Sequence, residues 1–442
     1  MVKGKKRKCL LLGMVIVLLL PLLAACGEDG DDTPKIKIGI GVPLKADTGL
    51  NGLHMAEMAA QEINEAGGVD VGGVMYDIEL ITADTNEPYS PADAAAATER
   101  LITVDGVDFF IGAITSEGAL PVMEILADQK VVGIVFASSS DIPNKIRDDY
   151  DRYKYVFDGL FGPKLALNTL LTGAILIGNE LKEKTKVEDP IKVALLFQKG
   201  GAYDPVVPAL NVMLPRFGFE VVGAWRPGTD ATDLTAEFRA IENAGAHIIL
   251  EANSGPAMIV MARQWGELQI PAALAGPNPY GDVSFWDATG GYCEYQIQTN
   301  VGGYIALTPR TIPFMEKLEE TYGEAPTVGI NTYDMLYALV DAIERAGTLD
   351  DDAVITTMEQ TDYVGALGNI AFQGLDEGEE THRIKEGKDY IFMTYAQWRD
   401  GRMVTVWPDG NPLPWDSSWE GVRFEGTQDF VLPPWVITYW NK

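Results

Sequence analysis

Basic residues are scarce in this chain. Its 442 residues contain 34 lysines and arginines against 64 aspartates and glutamates, which gives a formal net charge of −30 at pH 7. A surface of this sign repels the phosphate backbone of nucleic acids, so the sequence predicts no nucleic-acid partner. The acidity favours solubility and carries no direct information about a ligand.

The chain also lacks an apolar run long enough to span a membrane. Residues Leu10 to Leu23 form a run of 14 residues, whereas a hydrocarbon core needs about 20. Five basic residues and no acids precede the run, which is typical of a cleaved signal peptide, here residues 1–25. Cleavage would change the formal charge from −30 to −35, because it removes only those five charged residues.

The run ends in Leu23-Ala24-Ala25-Cys26, which resembles the lipobox of bacterial lipoproteins. The resemblance implies that Cys26 becomes the lipidated first residue and carries a diacylglycerol, whose two chains suffice for stable anchoring. The alternative is a chance cysteine after an ordinary cleavage site. Residues 26–34, with several acids and glycines, are predicted to be the lipidated cysteine and a hydrated tether.

Cysteine and histidine are too few for a disulfide or a recognisable metal site. Cys9 would leave with the signal peptide and Cys26 would be lipidated. Cys293 would then be alone in the mature chain, so no internal disulfide is expected. The three histidines, at 54, 247 and 382, are far apart and have no metal-ligand spacing. About 415 residues must therefore be held by apolar cores alone, which suggests two domains.

Common catalytic motifs are missing as well. There is no phosphate-binding P-loop, Gly39-Ile40-Gly41 lacks the third glycine of a dinucleotide fingerprint, and no G-x-S-x-G elbow occurs. A pair of catalytic carboxylates is not excluded, since 64 acids always offer some pair. The sequence thus gives no positive support for an enzyme and predicts no cofactor.

Predicted strands alternate with predicted helices along most of the chain. Runs such as Ile36–Ile40 and Lys192–Phe197 read as strands, and apolar residues at helical spacing follow them. The alternation begins near Lys35 and starts again after Tyr155-Val156-Phe157. Such alternation predicts parallel sheets covered by helices on both faces. We therefore expect two serial α/β units.

Tryptophan is concentrated at the carboxyl end. The last 36 residues contain five of the nine tryptophans and several prolines. Residues 408–442 are predicted to form an extension that packs irregularly over one lobe, because buried tryptophan holds non-regular segments in place. A surface for a partner or ligand is the alternative.

Several short motifs, in this order, are similar to the leucine/isoleucine/valine-binding family of ABC-transporter receptors. They are Ile38-Gly39-Ile40-Gly41-Val42-Pro43-Leu44, Ile63-Asn64-Glu65-Ala66-Gly67-Gly68, Asp84, Pro91-Ala92, Phe110-Ile111-Gly112, Ser116, Pro121, Ala137-Ser138-Ser139, Phe372-Gln373 and Trp398-Arg399-Asp400-Gly401. The similarity covers essentially residues 35–407. It implies a type I periplasmic binding protein fold, with two Rossmann-like α/β lobes whose parallel sheets are joined by a hinge of three crossovers.

The resemblance also implies the lobe boundaries. Lobe 1 is expected to comprise residues 35–157 plus 306–360, and lobe 2 residues 158–305 plus 361–407. The ligand is expected between the lobes, at the carboxyl ends of the strands, where open α/β sheets usually bind.

The strand-end residues of lobe 1 favour an anionic group. Ser116 lies between a predicted strand and a helix, so its hydroxyl and the first helix amides are expected to face the cleft. Ala137, Ser138 and Ser139 close the next strand in the same way. The resemblance implies that these positions bind the ligand carboxylate. Simple helix capping by serine is the alternative role.

Three residues are assigned to the site from lobe 2. Tyr203 matches the tyrosine with which the family's second lobe covers the ligand, although an ordinary exposed loop tyrosine is the alternative. Ser254 stands where many relatives have a larger tyrosine, so a larger ligand is expected to fit. Asn278 stands where relatives that bind amino acids carry an acid that pairs with the ligand ammonium.

A neutral amide cannot neutralise a desolvated ammonium. Either the ligand has no ammonium, or another acid replaces the missing one; the candidates are Asp47, Glu117, Asp204 and Glu251.

The predicted function is an extracytoplasmic solute-binding receptor of an ABC importer. It would capture an amino acid or a related small carboxylate or amide and deliver it to the permease subunits. We expect a monomer, attached to the cell membrane by its lipid anchor on the periplasmic or outer face. The alternative is a ligand-sensing receptor of the same fold that is not coupled to transport.

Overall fold

The computed structural model describes residues 33–442, apart from residues 88, 201–203, 229, 254–255, 278–282, 324–329 and 379. The buried apolar residues of these ranges run from Ile36 to Val436 and form four clusters around two large sheets. In the same ranges, none of the helices has both the length and the apolar character needed to cross a membrane.

The first sheet has six strands, in the order β2-β3-β1-β4-β5-β6. They are β1 (Lys35–Val42), β2 (Val69–Val71), β3 (Val74–Asp84), β4 (Phe109–Gly112), β5 (Gly133–Val135) and β6 (Val156–Asp158). All pairings are parallel except that of β2 with β3. The apolar side chains of β1 and β4 are fully buried, as expected for central strands covered on both faces.

The second sheet has seven strands, in the order β15-β14-β11-β10-β9-β7-β8. The remaining strands are β7 (Ile191–Phe197), β8 (Phe219–Trp225), β9 (Ile248–Ala252), β10 (Ala273–Gly276), β11 (Ile297–Val301), β12 (Tyr363–Val364), β13 (Asn369–Ile370), β14 (Met393–Arg399) and β15 (Arg402–Trp407). Strands β7 to β11 are parallel, whereas β14 and β15 are antiparallel. Strands β12 and β13 form a separate antiparallel pair.

Helices cover both faces of each sheet. They are α1 (Asp47–Glu65), α2 (Pro91–Thr103), α3 (Ser116–Gln129), α4 (Asp141–Asp148), α5 (Tyr150–Tyr153), α6 (Pro163–Lys184), α7 (Val206–Met213), α8 (Thr235–Asn243), α9 (Pro256–Glu267), α10 (Val283–Thr289), α11 (Thr311–Tyr322), α12 (Thr332–Ala346), α13 (Asp351–Met358) and α14 (Pro434–Trp440). Helices α1 and α11 to α13 pack on one face of the first sheet, and α2 to α4 on the other. Helices α6 and α7 cover one face of the second sheet, and α8 to α10 the other.

The chain passes between the two sheets three times: between β6 and α6, between β11 and α11, and between β13 and β14. Before the third crossover, Ile370, Phe372 and Ile384 pack in the core of the first sheet. After it, Phe392 and Tyr395 pack in the core of the second. This packing favours a third crossover near residues 384–392, later than the lobe boundary at 360 that the resemblance implies.

The two α/β units predicted from the sequence are confirmed, but the sheets are not wholly parallel. Strand β2 and the pair β14–β15 are antiparallel. The reason is local: β2 and β3 are joined by Gly72-Gly73, which turns the chain straight back, and Asp400-Gly401 does the same between β14 and β15. Parallel neighbours need a longer crossover.

Residues 408–442 pack on the second sheet unit. Trp419, Leu432 and Val436 are buried in the same core as α6. The indole N–H groups of Trp435 and Trp440 donate to the carbonyl oxygens of Ile270 at 2.9 Å and Pro271 at 2.6 Å. The extension is held by buried rings whose polar N–H groups are paired, and it ends in the short helix α14.

Candidate functional site

Strands β4 and β5 are parallel neighbours, so the residues that follow them lie at the same edge of the first sheet. Ser116 follows β4 after a short loop, and Ala137, Ser138 and Ser139 follow β5. The Ser139 N–H donates to the Ser116 hydroxyl oxygen at 3.1 Å, and the hydroxyl oxygens of Ser116 and Ser138 are 3.5 Å apart. The fold thus brings the four residues predicted from this sheet together.

Thr115, and not Ser116, caps helix α3. The Thr115 hydroxyl accepts a hydrogen bond from the Gly118 N–H at 3.1 Å, and Ser116 is the first helical residue. The capping role proposed as an alternative for Ser116 is therefore taken by its neighbour. A Cβ added at Gly118 would lie 2.3 Å from a carboxylate oxygen of Glu87, so a larger residue there would displace that carboxylate.

The buried carboxylate of Glu87 occupies part of the amide-rich loop before α3. Its two oxygens accept hydrogen bonds from the N–H groups of Ile114 at 2.9 Å and Thr115 at 3.0 Å. For the N–H groups of Ser116 and Glu117, the described part of the chain offers no acceptor. Glu87 thus takes two amides that precede the helix, and the N–H groups of the first two helical residues stay open to a ligand.

The three serine hydroxyls differ in their surroundings. The Ser139 hydroxyl donates to an Asp141 carboxylate oxygen at 2.9 Å and accepts from the Asp141 N–H at 3.1 Å, so it closes a local turn. The Ser138 side chain is exposed, and Ser116 is half-buried. The hydroxyls best placed to donate to a ligand are therefore those of Ser116 and Ser138.

A fully buried ion pair supports the serine segment. One Nη of Arg383 donates to Asp158 Oδ2 at 2.8 Å and to the carbonyl oxygens of Ala137 at 2.9 Å and Ser139 at 2.6 Å. Asp158 in turn accepts the Ala137 N–H at 3.0 Å. Both side chains of the pair are inaccessible to solvent. Ala137 is thereby held through its N–H and its carbonyl group, which fixes the course of the chain into Ser138.

Burial raises the pKa of the Asp158 carboxyl, because it disfavours the charged form. The positive charge of Arg383 and the N–H groups of Ala137 and Leu160 act in the opposite direction. A desolvated carboxylate depends on such partners, so removing the guanidinium would leave an uncompensated charge.

Sequence reasoning missed Arg383, Asp158 and Glu87. Asp158 carried a usable signal, since an acid directly after the buried Val156-Phe157 run lies at the carboxyl end of a predicted strand. Arg383 lies in a stretch with no periodic pattern, and Glu87 is one acid among many in a loop. Neither position is distinguishable before the tertiary contacts are known.

The three residues predicted from the second lobe, Tyr203, Ser254 and Asn278, lie outside the described residues. The strands that precede them are β7, β9 and β10, which are adjacent and parallel. Their carboxyl ends therefore lie side by side at one edge of the second sheet.

The four acids considered as substitutes at Asn278 have distinct environments. Asp47 and Glu117 are exposed at the first turns of α1 and α3. Asp204 forms an ion pair with Arg226, which lowers its pKa. Glu251 is fully buried at the end of β9.

Glu251 is held within the second unit. One of its oxygens accepts from the Asn253 amide at 3.1 Å, and the same amide donates to the Leu196 carbonyl oxygen at 2.9 Å. Its other carboxylate oxygen would lie 2.0 Å from a Cβ added at Gly276, so the absence of a side chain at Gly276 leaves room for it. Glu251 therefore packs against Gly276, the last residue of β10, which precedes Asn278 by two positions in the sequence.

Among the described residues, no three or more histidine, cysteine or acidic side chains lie close enough together to hold a metal ion. Cys293 is a buried free thiol, and burial raises its pKa to about 12, so it remains protonated at neutral pH. Cys26, predicted as the lipidation site, lies outside the described residues.

The sequence profile of the family described as "Periplasmic binding protein" matches residues 35–401. The chain is 22% identical to Leu/Ile/Val-binding protein homolog 7 of Brucella melitensis, over 85% of this chain and 92% of that protein. It is also 22% identical to the leucine-, isoleucine-, valine-, threonine- and alanine-binding protein of Pseudomonas aeruginosa, over 79% of this chain and 86% of that protein.

Solved structures share the fold. The ABC transporter substrate-binding protein from Sphaerobacter thermophilus superposes with a TM-score of 0.67 at 18% identity, covering 90% of this chain and 99% of that one. The substrate-binding protein LivJ from Streptococcus pneumoniae, solved in complex with isoleucine, gives a TM-score of 0.65 at 18% identity, covering 84% and 97%.

Proposed function

The chain belongs to the periplasmic binding protein family, and from this premise we propose that it is an extracytoplasmic receptor for a small carboxylate. The ligand is an amino acid or a related carboxylate or amide, captured between the two sheet units. The proposal is supported above all by one observation: the hydroxyl oxygens of Ser116 and Ser138, 3.5 Å apart, lie beside the first amides of α3.

This cluster suits a carboxylate for two reasons. Two hydroxyl groups and two helix N–H groups can each donate a hydrogen bond to an anion, and hydrogen bonds to a charged acceptor are stronger than those to a neutral one. The positive end of the helix dipole adds a favourable field. The support from Arg383 keeps these donors in place before the ligand arrives, which lowers the entropy lost on binding.

The second unit is proposed to supply Tyr203, Ser254 and Asn278 from the ends of β7, β9 and β10. The relatives named for leucine, isoleucine and valine favour an apolar ligand body. A ligand ammonium would need a carboxylate partner, which Asn278 does not provide. Glu251 is proposed for this role, because Asp204 is already paired with Arg226.

We propose that the ligand binds first to the first unit and that the second then closes on it by bending at the three crossovers. Closure is driven by contacts available only in the shut form. The closed receptor would deliver the ligand to a permease and perform no chemistry itself. A diacylglycerol on Cys26 would hold the protein at the extracytoplasmic face of the membrane.

A ligand screen tests this function. A form of the protein that begins at Asp32 contains all the packing described above and is suitable for thermal-shift measurements with amino acids, short amides and small carboxylates. A ligand at 100 times its Kd stabilises the folded state by about 2.7 kcal/mol, so a rise in Tm of several degrees is expected for at least one carboxylate.

The same ligand should reduce the radius of gyration in X-ray scattering and be recovered unchanged by mass spectrometry. Stabilisation only by sugars or amines would contradict the proposed ligand class. Conversion of the ligand would contradict a receptor without catalytic activity.

A further inference from the structure

A cavity lies away from the strand-end serines. It has a volume of about 460 Å³, which is within the usual range for small-molecule sites. Its walls come from the first three turns of α6, from the third crossover around Glu386 and Phe392, and from the extension around Leu413 to Trp419. None of the residues assigned to the proposed carboxylate site lines it.

Five of the sixteen residues that line this cavity are aromatic, and three of these five rings pack against one another. Trp407 and Trp419 have ring centroids 4.7 Å apart, and Phe392 packs edge-on against Trp419 at 4.9 Å. Trp415, on the extension, packs against Phe217 at 5.1 Å. These contacts fix the rings without any ligand, so the site is already formed.

An acid lines the same cavity as these rings. Glu386 is half-buried, and within the described residues its carboxylate accepts one hydrogen bond, from the Gly162 N–H at 2.7 Å. Asp416 adds a second carboxylate to the wall, while Lys164 is largely exposed to solvent. The cavity wall therefore combines carboxylates with aromatic rings, whose faces attract a cation through their quadrupoles.

The cavity depends on a part of the chain outside the family match. That match ends at residue 401, whereas Trp407, Trp415 and Trp419 lie beyond it. We propose that the cavity is a second ligand site, which binds a small organic ammonium compound with an apolar body between Glu386 and the tryptophan rings. This site does not require the proposed carboxylate site to be correct.

Benzyltrimethylammonium is a suitable probe, used with the form that begins at Asp32. Calorimetric titration should show saturable binding, and the tryptophan fluorescence should change with the same Kd. Benzyl alcohol and benzoate, which keep the ring and lack the cation, should bind at least tenfold more weakly. Equal binding of the neutral or anionic compound would overturn the proposal.

Two variants and a control locate the probe. Glu386→Gln keeps the acceptor for Gly162 and removes the charge, and it should weaken probe binding about tenfold, as should Trp415→Ala. Asp389→Asn changes an exposed acid of the same segment, paired with Lys388, and should leave the affinity unchanged. An unchanged affinity in Glu386→Gln, or displacement of the probe by excess L-leucine, would show that the probe binds elsewhere.

The affinity should also depend on pH. Burial raises the pKa of Glu386 to about 7, helped by Glu380 and opposed by Gly162, Arg383 and Lys164. Asp416 has a lowered pKa through Ser418 and stays ionised. A group with this pKa is about one-tenth ionised at pH 6 and nine-tenths at pH 8; because the neutral form should bind about tenfold more weakly, probe affinity should rise about fivefold across that window. Glu386→Gln should abolish the rise; its persistence in that variant would overturn the assignment.

Discussion

Replacing Arg383 by leucine is expected to lower the free energy of unfolding by about 3–5 kcal/mol, because it leaves the Asp158 carboxylate buried without a cation. The guanidinium of Arg383 also donates to the carbonyl oxygens of Ala137 and Ser139, which would lose those partners. Urea unfolding followed by tryptophan fluorescence measures the effect.

A neighbouring ion pair provides the control. Lys385 pairs with Glu377 at 2.7 Å, but both side chains are partly exposed, so Lys385→Gln should cost about 1 kcal/mol or less. Replacing Arg383 and Asp158 together by apolar residues should recover part of the loss, since no charge then stays buried. If Arg383→Leu costs no more than Lys385→Gln, the pair does not hold the serine segment as described.

Removing the Ser116 hydroxyl is expected to weaken binding of the best carboxylate from the screen by about 10- to 100-fold. A hydrogen bond from a hydroxyl to an ionised carboxylate contributes about 1.5–3 kcal/mol. The variant Ser116→Ala also deprives the Ser139 N–H of its acceptor, so a loss of stability of about 1 kcal/mol is expected as well.

Ser90→Ala separates the two effects. The Ser90 hydroxyl caps α2 by accepting the Asp93 N–H at 3.3 Å, so its loss should cost similar stability. Because Ser90 lies outside the serine cluster, ligand affinity should not change. Equal affinity losses in both variants would mean that Ser116 acts through stability alone.

The sequence was informative where a local pattern decides the structure. The ends of the helices at Thr311–Tyr322 and Thr332–Ala346 carry such local signals. Asn331 caps the second of these by accepting the Asp334 N–H, and glycines in the left-handed region follow both, at 323 and 347. Such capping residues can be recognised without tertiary information.

The parts that could not be predicted depend on contacts between distant segments. Arg383 supports Ser139 from 244 positions away, and nothing near Arg383 in the sequence indicates it. The antiparallel direction of β14 is set by its pairing with β11, which lies almost 100 residues earlier in the chain. The cavity lined by tryptophans arises because the extension folds back over α6. A segment rich in tryptophan indicates that its rings are buried, but it does not indicate which element they pack against.

The hydroxyl groups of Ser116 and Ser138, with the first amides of α3, are proposed to bind a carboxylate. Three related compounds test this proposal most directly. L-leucine, 4-methylpentanoate and 4-methyl-1-pentanol share an apolar body; the second lacks the ammonium, and the third lacks both charged groups. In calorimetric titrations, at least one of the two carboxylates should bind, and the alcohol should bind at least 100-fold more weakly. Binding of the alcohol with the same affinity as the carboxylates would contradict the account.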